Sequence, residues 1–286
     1  MHSAGSVIRC ERASYRVLRK ISEGGMGVVW EANSIKNNRR LVVKEPLSNN
    51  DHDRMKVERL LIEALVLRTI NDELVEAASE EDRLIHLHVV RYLDQLSDPS
   101  HPILVLEFID GKSMTAGFKG KALAEREAVQ ETVNLLTVVS AIHSRGVIHR
   151  DISPSNIILS PSRGQVLIDF GASRVLNRTA RSHGLQSGRV VFKKGFSAPE
   201  LLDGRSDVRS DVFSVGATLL YLLTARNPGD FFSNSDKIWD RPLSTLKLRI
   251  SSIVSDVIQQ AMAPDPQERF ESAKEMLHPL TEWLQS

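Results

Sequence analysis

Cysteine is almost absent from this sequence, which contains only one, Cys10. A single cysteine cannot form a disulfide within the chain, and chains without disulfides are typical of reducing compartments. We therefore expect a cytoplasmic protein. Because Cys10 lies in a polar N-terminal segment, we expect it to be a surface thiol without a special role.

The sequence also lacks an excess of charge of either sign, since it contains 37 lysines and arginines and 36 aspartates and glutamates. Such a chain has no strong overall field to attract nucleic acid or an anionic membrane, so we predict neither as a partner. The most apolar stretch, residues 212–225, is shorter than the roughly 18 residues that span a bilayer, and it predicts a buried core helix. The first 14 residues contain no apolar region, so no secretory signal is predicted.

The sequence does contain enough apolar residues, 41% of 286, to form one large domain or two lobes that share a cleft. Residues 15–43 are short alternating and β-branched runs separated by turns, which predict an antiparallel meander. Residues 53–70 change to helical spacing, and two more strand-like runs follow at 88–96 and 102–109. The remainder is mainly helical. Strands followed by helices predict an α+β fold.

Residues 71–88 form an acidic excursion between the first predicted helix and the next strand. The excursion could extend the helix, brace it or contact a partner. Its charge favours a solvated surface insertion, because charged stretches are usually solvated and long insertions add little loop entropy.

Three glycines, Gly24, Gly25 and Gly27, lie between two strand-like runs. Glycine lets the backbone approach a phosphate closely and adopt positive φ. Gly-rich hairpins are common, so this signal is weak by itself. Since no helix follows, the turn is neither a dinucleotide fingerprint nor a Walker A loop.

Lys44 ends the apolar run "LVVK", and Glu63 lies on the predicted helix that follows. The two could form an ordinary surface ion pair, which contributes about 0–1 kcal/mol. Alternatively, Lys44 holds phosphate oxygens in a cleft and Glu63 holds Lys44, because a partly buried lysine needs a partner.

Three oxygen-bearing side chains, Asp151, Asn156 and Asp169, stand next to short apolar runs in "HRDISPSN" and "LIDFG". Asn156 and Asp169 can share a Mg²⁺, which takes few protein oxygens and keeps waters and phosphate as its other ligands. Asp151 remains to accept a proton or orient a hydroxyl nucleophile. A single aspartate at a strand end is usually a cap or turn residue, but three such groups favour a catalytic site.

In this order the motifs resemble the eukaryotic-type (Hanks-type) Ser/Thr protein kinase family, in its bacterial or archaeal form. The resemblance covers about residues 15–284 through "SEGGMGVV", "VVK", "HRDISPSN", "DFG", "APE", "SDVFSVG" and "DPQERF". It implies a two-lobed kinase fold with an N-terminal extension (1–13), an N-terminal lobe (14–109) and a C-terminal lobe (110–286), the kinase domain being 14–284. It also implies transfer of the γ-phosphoryl group of Mg-ATP to a Ser or Thr of a protein substrate.

The resemblance also implies roles for individual residues. Asp151 would orient the acceptor hydroxyl, and Asn156 and Asp169 would hold Mg²⁺. Glu200 and Arg269 would pair, Asp211 would anchor the catalytic loop, and Leu67, Tyr92, Phe170 and His149 would stack as a packing column. The resemblance also implies contacts with the nucleotide, and Glu107 and Ile109 would make theirs through the backbone. The residues are Ile21, Ser22, Glu23, Gly24, Gly25, Met26, Gly27, Val29, Val42, Lys44, Glu63, Glu107, Ile109, Ile158 and Asp169.

Two substitutions depart from the family pattern. Ser22 replaces the first glycine of the loop, and we expect little loss from a small turn-forming residue. Ser153 stands where these kinases carry a lysine that neutralises the transferring phosphoryl group, and Lys193 stands where they carry a threonine that contacts that lysine. We hypothesise that the two positions are exchanged and that Lys193 reaches Ser153 and Asp151. The alternative is that Lys193 points into solvent and the kinase is slow.

Regulation is predicted from the basic segment between Asp169 and Ala198. A phosphate on Thr179, Ser182 or Ser187 could pair with Arg150 and order the segment, which implies autophosphorylation and self-association for the reaction in trans. The alternative is a basic loop that docks acidic substrates.

Two other functions compete with an active protein kinase. An ATP-binding pseudokinase that acts as a scaffold is favoured by Ser153 and Lys193, but Lys44, Asp151, Asn156 and Asp169 are all present. A small-molecule phosphotransferase on a related fold would lack "APE" and "SDVFSVG", and this chain has both.

Overall fold

The computed structural model describes residues 2–24, 27–47, 53–72, 79–98, 101–176, 192–231 and 249–286. Gly25 and Met26 of the Gly-rich turn lie outside the described residues, and so do the predicted phosphorylation sites Thr179, Ser182 and Ser187. Within the described ranges, strands dominate the N-terminal third and helices the remainder, as predicted.

The strands are Val7–Arg9 (β1), Ser14–Gly24 (β2), Gly27–Ser34 (β3), Arg40–Glu45 (β4), Tyr92–Leu96 (β5), Ile103–Glu107 (β6), Lys112–Ser113 (β7), Val147–Ile148 (β8), Ile157–Ser160 (β9), Gly164–Leu167 (β10) and Arg174–Val175 (β11). The helices are Asp53–Asp72 (α1), Glu80–His88 (α2), Met114–Gly117 (α3), Glu125–Ser144 (α4), Val208–Thr224 (α5), Pro228–Phe231 (α6), Ser252–Ala261 (α7) and Ala273–Gln285 (α8).

The N-terminal lobe is an antiparallel sheet with strand order β1-β2-β3-β4-β6-β5. Strand β4 shows the two-residue period that the sequence pattern predicts. Leu41 and Val43 are buried in a cluster with Trp30, whereas Val42 packs against the other, larger core cluster. Lys44, two residues after Val42, therefore emerges on the face of the sheet that looks toward the second lobe.

Helix α1 packs across this sheet through one face. Leu67 and Ile70 are almost completely buried on that face, and Glu63, one turn before Leu67, is buried with them. A buried carboxylate on an apolar helix face needs a cationic partner, which explains why α1 lies where Lys44 can reach it.

The excursion differs from the expected solvated insertion over residues 79–88, whereas residues 73–78 lie outside the described part. Ser79 and Asp82 form a capping box that starts α2. Ile85 is 1% exposed, α2 packs against α4 and β10, and Asp82 forms an ion pair with Arg145, the residue after the end of α4. Residues 80–88 of the excursion therefore pack against the C-terminal lobe.

The C-terminal lobe is built around α4 and α5. Helix α5 includes the apolar stretch predicted as a core helix, and it begins with a capping box between Asp207 and Ser210. Gly216 lets α5 approach α7 closely, because a Cβ at Gly216 would lie 2.7 Å from the Cβ of Ala261. Among the residues described, no helix is both long and apolar enough to cross a membrane.

Residues before position 14 also take part in the sheet, since β1 pairs with β2. Cys10, which follows β1, is partly buried and not a surface thiol. Burial, reinforced by the negative charges of Asp94 and Glu11, raises the pKa of Cys10 to about 12. Because the thiolate is the reactive form, this cysteine is inert at neutral pH.

Candidate active site

A buried ion pair stands at the centre of the cleft between the lobes. Lys44 Nζ lies 2.6 Å from Glu63 Oε1 and 3.8 Å from Asp169 Oδ1. Burial lowers the pKa of Lys44, but the two carboxylates outweigh it, so the net pKa is raised and the ammonium stays charged. The structure therefore joins three residues that are far apart in the sequence.

Asp169 follows β10 with a left-handed backbone, φ 64°. Its side chain is 44% exposed, so the carboxylate is open to the cleft and not sealed by the ion pair. The charge of Lys44, which outweighs burial, lowers the pKa of Asp169. An ionised and accessible carboxylate is the kind of ligand that Mg²⁺ takes, so Asp169 fits the metal site predicted for it.

The loop that carries Asp151 is fixed from below by Asp211 of α5. This fully buried carboxylate accepts hydrogen bonds from the backbone N–H groups of His149 and Arg150, both at 2.8 Å, and lies 2.9 Å from His143 Nε2. Burial raises the pKa of Asp211, but contacts with His143 and the loop backbone outweigh it, and the net pKa is lowered. The predicted anchor is thus present in the geometry.

Asp151 and Asn156 lie within one turn of this loop. Asn156 Nδ2 donates to the backbone carbonyl of Asp151 at 2.8 Å. This bond fixes the amide group, and Asn156 Oδ1, which accepts from Ser155 Oγ at 3.3 Å, is its atom able to contact a cation. Burial and the charge of Asp169 raise the pKa of Asp151, and the positive charge of Lys193 opposes them. A carboxyl with a raised pKa is a better proton acceptor than an ordinary one.

Lys193 reaches back to the catalytic loop. Its Nζ donates to Ser153 Oγ at 2.7 Å and to Ser155 Oγ at 2.5 Å. The ammonium group therefore lies beside Ser153 instead of pointing into solvent, and its replacement of the missing lysine stays a prediction. Ser155 is a contact that the sequence reasoning missed, although it lies two residues from Ser153 in the same loop.

A tight turn holds Lys193 in this position. Its carbonyl accepts from the N–H groups of Phe196 and Ser197, and Ser197 Oγ accepts from the N–H of Lys193 at 2.8 Å. Gly195 within the turn has φ +88°, and a Cβ there would lie 2.2 Å from Asn227 Oδ1. Only glycine allows the turn to pack this closely against the chain between α5 and α6.

The residues predicted to contact the nucleotide lie in different parts of the site. Ser22, Glu23, Gly24, Gly27, Val29, Lys44, Glu63 and Asp169 line a cleft of about 350 Å³. The others lie around the linker: Val42 pairs with Leu106, Ile158 with Val166, and Ile109 packs against the larger core. Ile21 is exposed on β2. Contact of each with a nucleotide stays a prediction.

Glu107 uses most of its polar groups within the protein. Its N–H donates to the carbonyl of Arg91 at 3.0 Å, and its buried carboxylate pairs with Arg91 and Arg163. Because the backbone N–H of Glu107 is already bonded, its carbonyl is the backbone group predicted to contact adenine.

A basic cluster that the sequence reasoning only partly found stands beside the catalytic loop. Burial, with the nearby charges of Arg174 and Arg59, lowers the pKa of Arg150 to about 10. Arg59 precedes Glu63 by one helical turn and donates to the carbonyl of Gly171 at 3.4 Å. Its spacing from Glu63 on α1 was the available signal for this residue.

Two further predictions concern side chains remote in the sequence. Arg269 donates to both carboxylate oxygens of Glu200, at 2.8 and 2.9 Å, so the predicted pair is present and bidentate. The rings of His149 and Phe170 lie 4.6 Å apart. Leu67, Tyr92 and Phe170 belong to one large buried cluster, and their stacking as a column stays a prediction.

Comparison with known proteins places this geometry in a family. The family model described as the protein kinase domain matches residues 15–281. Serine/threonine-protein kinase PknA of Nostoc sp. is 34% identical over 278 residues, which cover 93% of this chain and 46% of that protein. Serine/threonine-protein kinase D of Synechocystis sp. is 31% identical over 281 residues, covering 95% of this chain and 52% of that protein.

Pkn1, a serine/threonine-protein kinase of Myxococcus xanthus, is 28% identical over 280 residues, which cover 93% of this chain and 37% of that protein. The chain thus spans about half the length of these curated relatives, or less. The family model covers nearly the whole chain, and the two-lobed α+β fold predicted from the motifs is confirmed. By its sequence and its fold, this chain belongs to the protein kinase family and is similar to bacterial Ser/Thr members of it.

Proposed function

We propose that this protein transfers the γ-phosphoryl group of Mg-ATP to Ser or Thr hydroxyls of proteins. The observation that carries the proposal is the meeting of the Lys44–Glu63 pair and Asp169 in one cleft, with Asp151 near enough to Asp169 for their charges to interact. Family membership supports the use of ATP and of protein substrates.

Lys44 and Asp169 would act on the nucleotide. Lys44 remains charged and held by Glu63, so it can contact phosphate oxygens without searching for a conformation. Asp169 and Asn156 would hold Mg²⁺, which would neutralise charge on the phosphate oxygens when bound.

Asp151 would position the acceptor. The hydroxyl oxygen of a Ser or Thr forms a bond to the γ-phosphorus, the bond between that phosphorus and ADP breaks, and the hydroxyl proton passes to Asp151. Its raised pKa supports this role, because burial makes this carboxylate more basic than an exposed aspartate and so a better proton acceptor.

We assign the missing positive charge of the catalytic loop to Lys193. Its ammonium group contacts Ser153 and acts on the charge of Asp151, so it lies beside the proposed path of the phosphoryl group. A preorganised cation there would stabilise the charge that develops in the transition state. Ser153 would serve as the hydroxyl that orients this cation.

Autophosphorylation is the form of regulation that the basic cluster supports. Arg59, Arg150 and Arg174 place positive charge next to the catalytic loop. A phosphate on the segment that contains Thr179, Ser182 and Ser187 would pair with this cluster and hold the segment. Phosphorylation in trans would need two copies of the chain to associate. We also propose a cytoplasmic location, where ATP is available and a lone cysteine stays reduced.

The test is phosphate incorporation from γ-labelled ATP with Mg²⁺, with a generic basic protein as acceptor and Asp151→Asn as the matched variant. Labelling by the wild type and not by Asp151→Asn supports the proposal. A wild type that binds ATP but labels nothing would contradict it and favour a scaffold.

A further inference from the structure

Arg163 stands in the turn between β9 and β10, behind the linker that joins the lobes. Its guanidinium group donates to Glu107 Oε1 at 2.8 Å and to three carbonyls at the end of the excursion: Leu87 at 2.6 Å, His86 at 3.1 Å and Val89 at 3.2 Å. One side chain of the C-terminal lobe therefore connects helix α2 to the last residue of strand β6.

Glu107 is the meeting point of this cluster. Its carboxylate is 4% exposed and also accepts from the backbone N–H of Arg91 at 3.0 Å and from Arg91 Nε at 2.9 Å. A buried carboxylate with fork-shaped donors on two sides has little rotational freedom. The backbone of residue 107 is thus held by its own side chain and not only by the sheet.

The C-terminal end of α2 also favours the position of the Arg163 guanidinium group. The last carbonyls of a helix lack partners within the helix and carry partial negative charge, so a cation is stabilised there. Arg163 supplies that cation to α2, which is itself fixed to α4 through Asp82 and Arg145. The linker is therefore attached, through Arg163, to a helix that packs against the C-terminal lobe.

We propose that Arg163 is a positioning residue for the adenine-binding linker and acts through the carboxylate of Glu107. This inference rests on the proposed function and on the prediction, implied by the family resemblance, that the carbonyl of Glu107 contacts adenine. The phosphate end of the nucleotide depends on a separate group, the Lys44–Glu63 pair, which Arg163 does not contact. Loss of Arg163 should weaken recognition of adenine and leave recognition of phosphates unchanged.

This difference between the two ends of the nucleotide defines the experiment. Calorimetry measures binding of adenosine, which has no phosphates, and of tripolyphosphate with Mg²⁺, which has no base. The proteins are the wild type, Arg163→Met, Arg163→Lys and the control Arg205→Met, since Arg205 is an exposed arginine of the same lobe. Thermal unfolding shows that each variant is folded at the temperature of the measurement.

We expect Arg163→Met to bind adenosine about tenfold more weakly and tripolyphosphate within about twofold of the wild type, because coupling through one charged contact is of this size. Arg163→Lys should recover part of the affinity, since it restores the charge but not the fork of donors. Arg205→Met should match the wild type. If Arg163→Met does not fold, Glu107→Gln tests the same contact with little change of shape.

Three results overturn the inference, and they identify two different failures. Equal adenosine affinity in wild type and Arg163→Met, or an equal loss for both ligands, overturns the positioning role alone. A wild type that does not bind adenosine overturns the proposed nucleotide placement, and the inference is overturned with it.

Discussion

Moving the positive charge within the active site tests the assignment of Lys193. In the variant Lys193→Met the side chain keeps most of its length but loses the ammonium group that contacts Ser153 and Ser155. In the double variant Ser153→Lys/Lys193→Thr the cation stands in the catalytic loop and the hydroxyl stands opposite. Lys194→Met is the matched control, because Lys194 is the exposed neighbour of Lys193.

The expected magnitude follows from the position of the charge. A cation about 4 Å from the phosphoryl charge, at an effective dielectric constant near 20, contributes about 4 kcal/mol before desolvation. Removing one preorganised contact to a transition state lowers kcat by about 10²–10³. We therefore expect Lys193→Met to lose about 100-fold in kcat with little change in KM for ATP, because Lys44 and Asp169 remain in place.

The assay is steady-state phosphorylation of a protein acceptor, with ATP and acceptor varied separately. The double variant should recover activity to within about tenfold of the wild type, because the charge returns to nearly the same space. The reasoning is refuted if Lys193→Met keeps more than about a third of the wild-type kcat, because losing a cation that stabilises the transition state would raise the barrier by more than that.

Three further predictions concern the same chain. Lys193→Met should move the acid limb of the kcat/KM profile to higher pH. Burial raises the pKa of Asp151 and the positive charge of Lys193 opposes that rise, so the pKa should rise further when the charge is lost. An acid limb at an unchanged pH would contradict this. Glu200→Gln should destabilise the protein by about 3–5 kcal/mol in urea unfolding, because it leaves a buried arginine without its carboxylate. Burial raises the pKa of Glu200, but hydrogen bonds, chiefly from Arg269, lower it overall. The contribution of Glu200 to the free energy of unfolding is therefore complete above its unfolded pKa and is lost as pH falls through its folded pKa. In Glu200→Gln this loss of stability toward acid pH should be absent. Gly195→Ala should lower kcat with unchanged ATP affinity in equilibrium binding, because the added Cβ displaces the turn that holds Lys193; an unchanged kcat would show that the turn tolerates the change.

The excursion shows where reading the sequence failed. Its charge favoured a solvated insertion, yet α2 is capped by Ser79 and Asp82 and packs against α4. Charge alone could not show that Asp82 meets Arg145, which lies 63 positions later in the chain. Arg163 was missed for the same reason, since its four acceptor residues lie more than 50 positions before it.

The family, the order of strands and helices, and the residue types of the cleft could all be predicted from the amino-acid sequence. Periodicity is local, so β4 and α1 could be predicted from their own residues, and Lys44 could be placed at a strand end facing a cleft. The motifs in their order were specific enough to predict the kinase fold, which is confirmed.

Which of these side chains meet depends on how the two lobes pack, and the sequence did not predict all of these contacts. The sequence permitted Lys193 to point into solvent or toward Ser153, and the close packing of Gly195 against Asn227 selects the second. It gave no sign that Glu107 would be fixed by Arg163. Contacts of this kind depend on distances between segments remote in the chain, and those distances exist only after the two lobes have packed together.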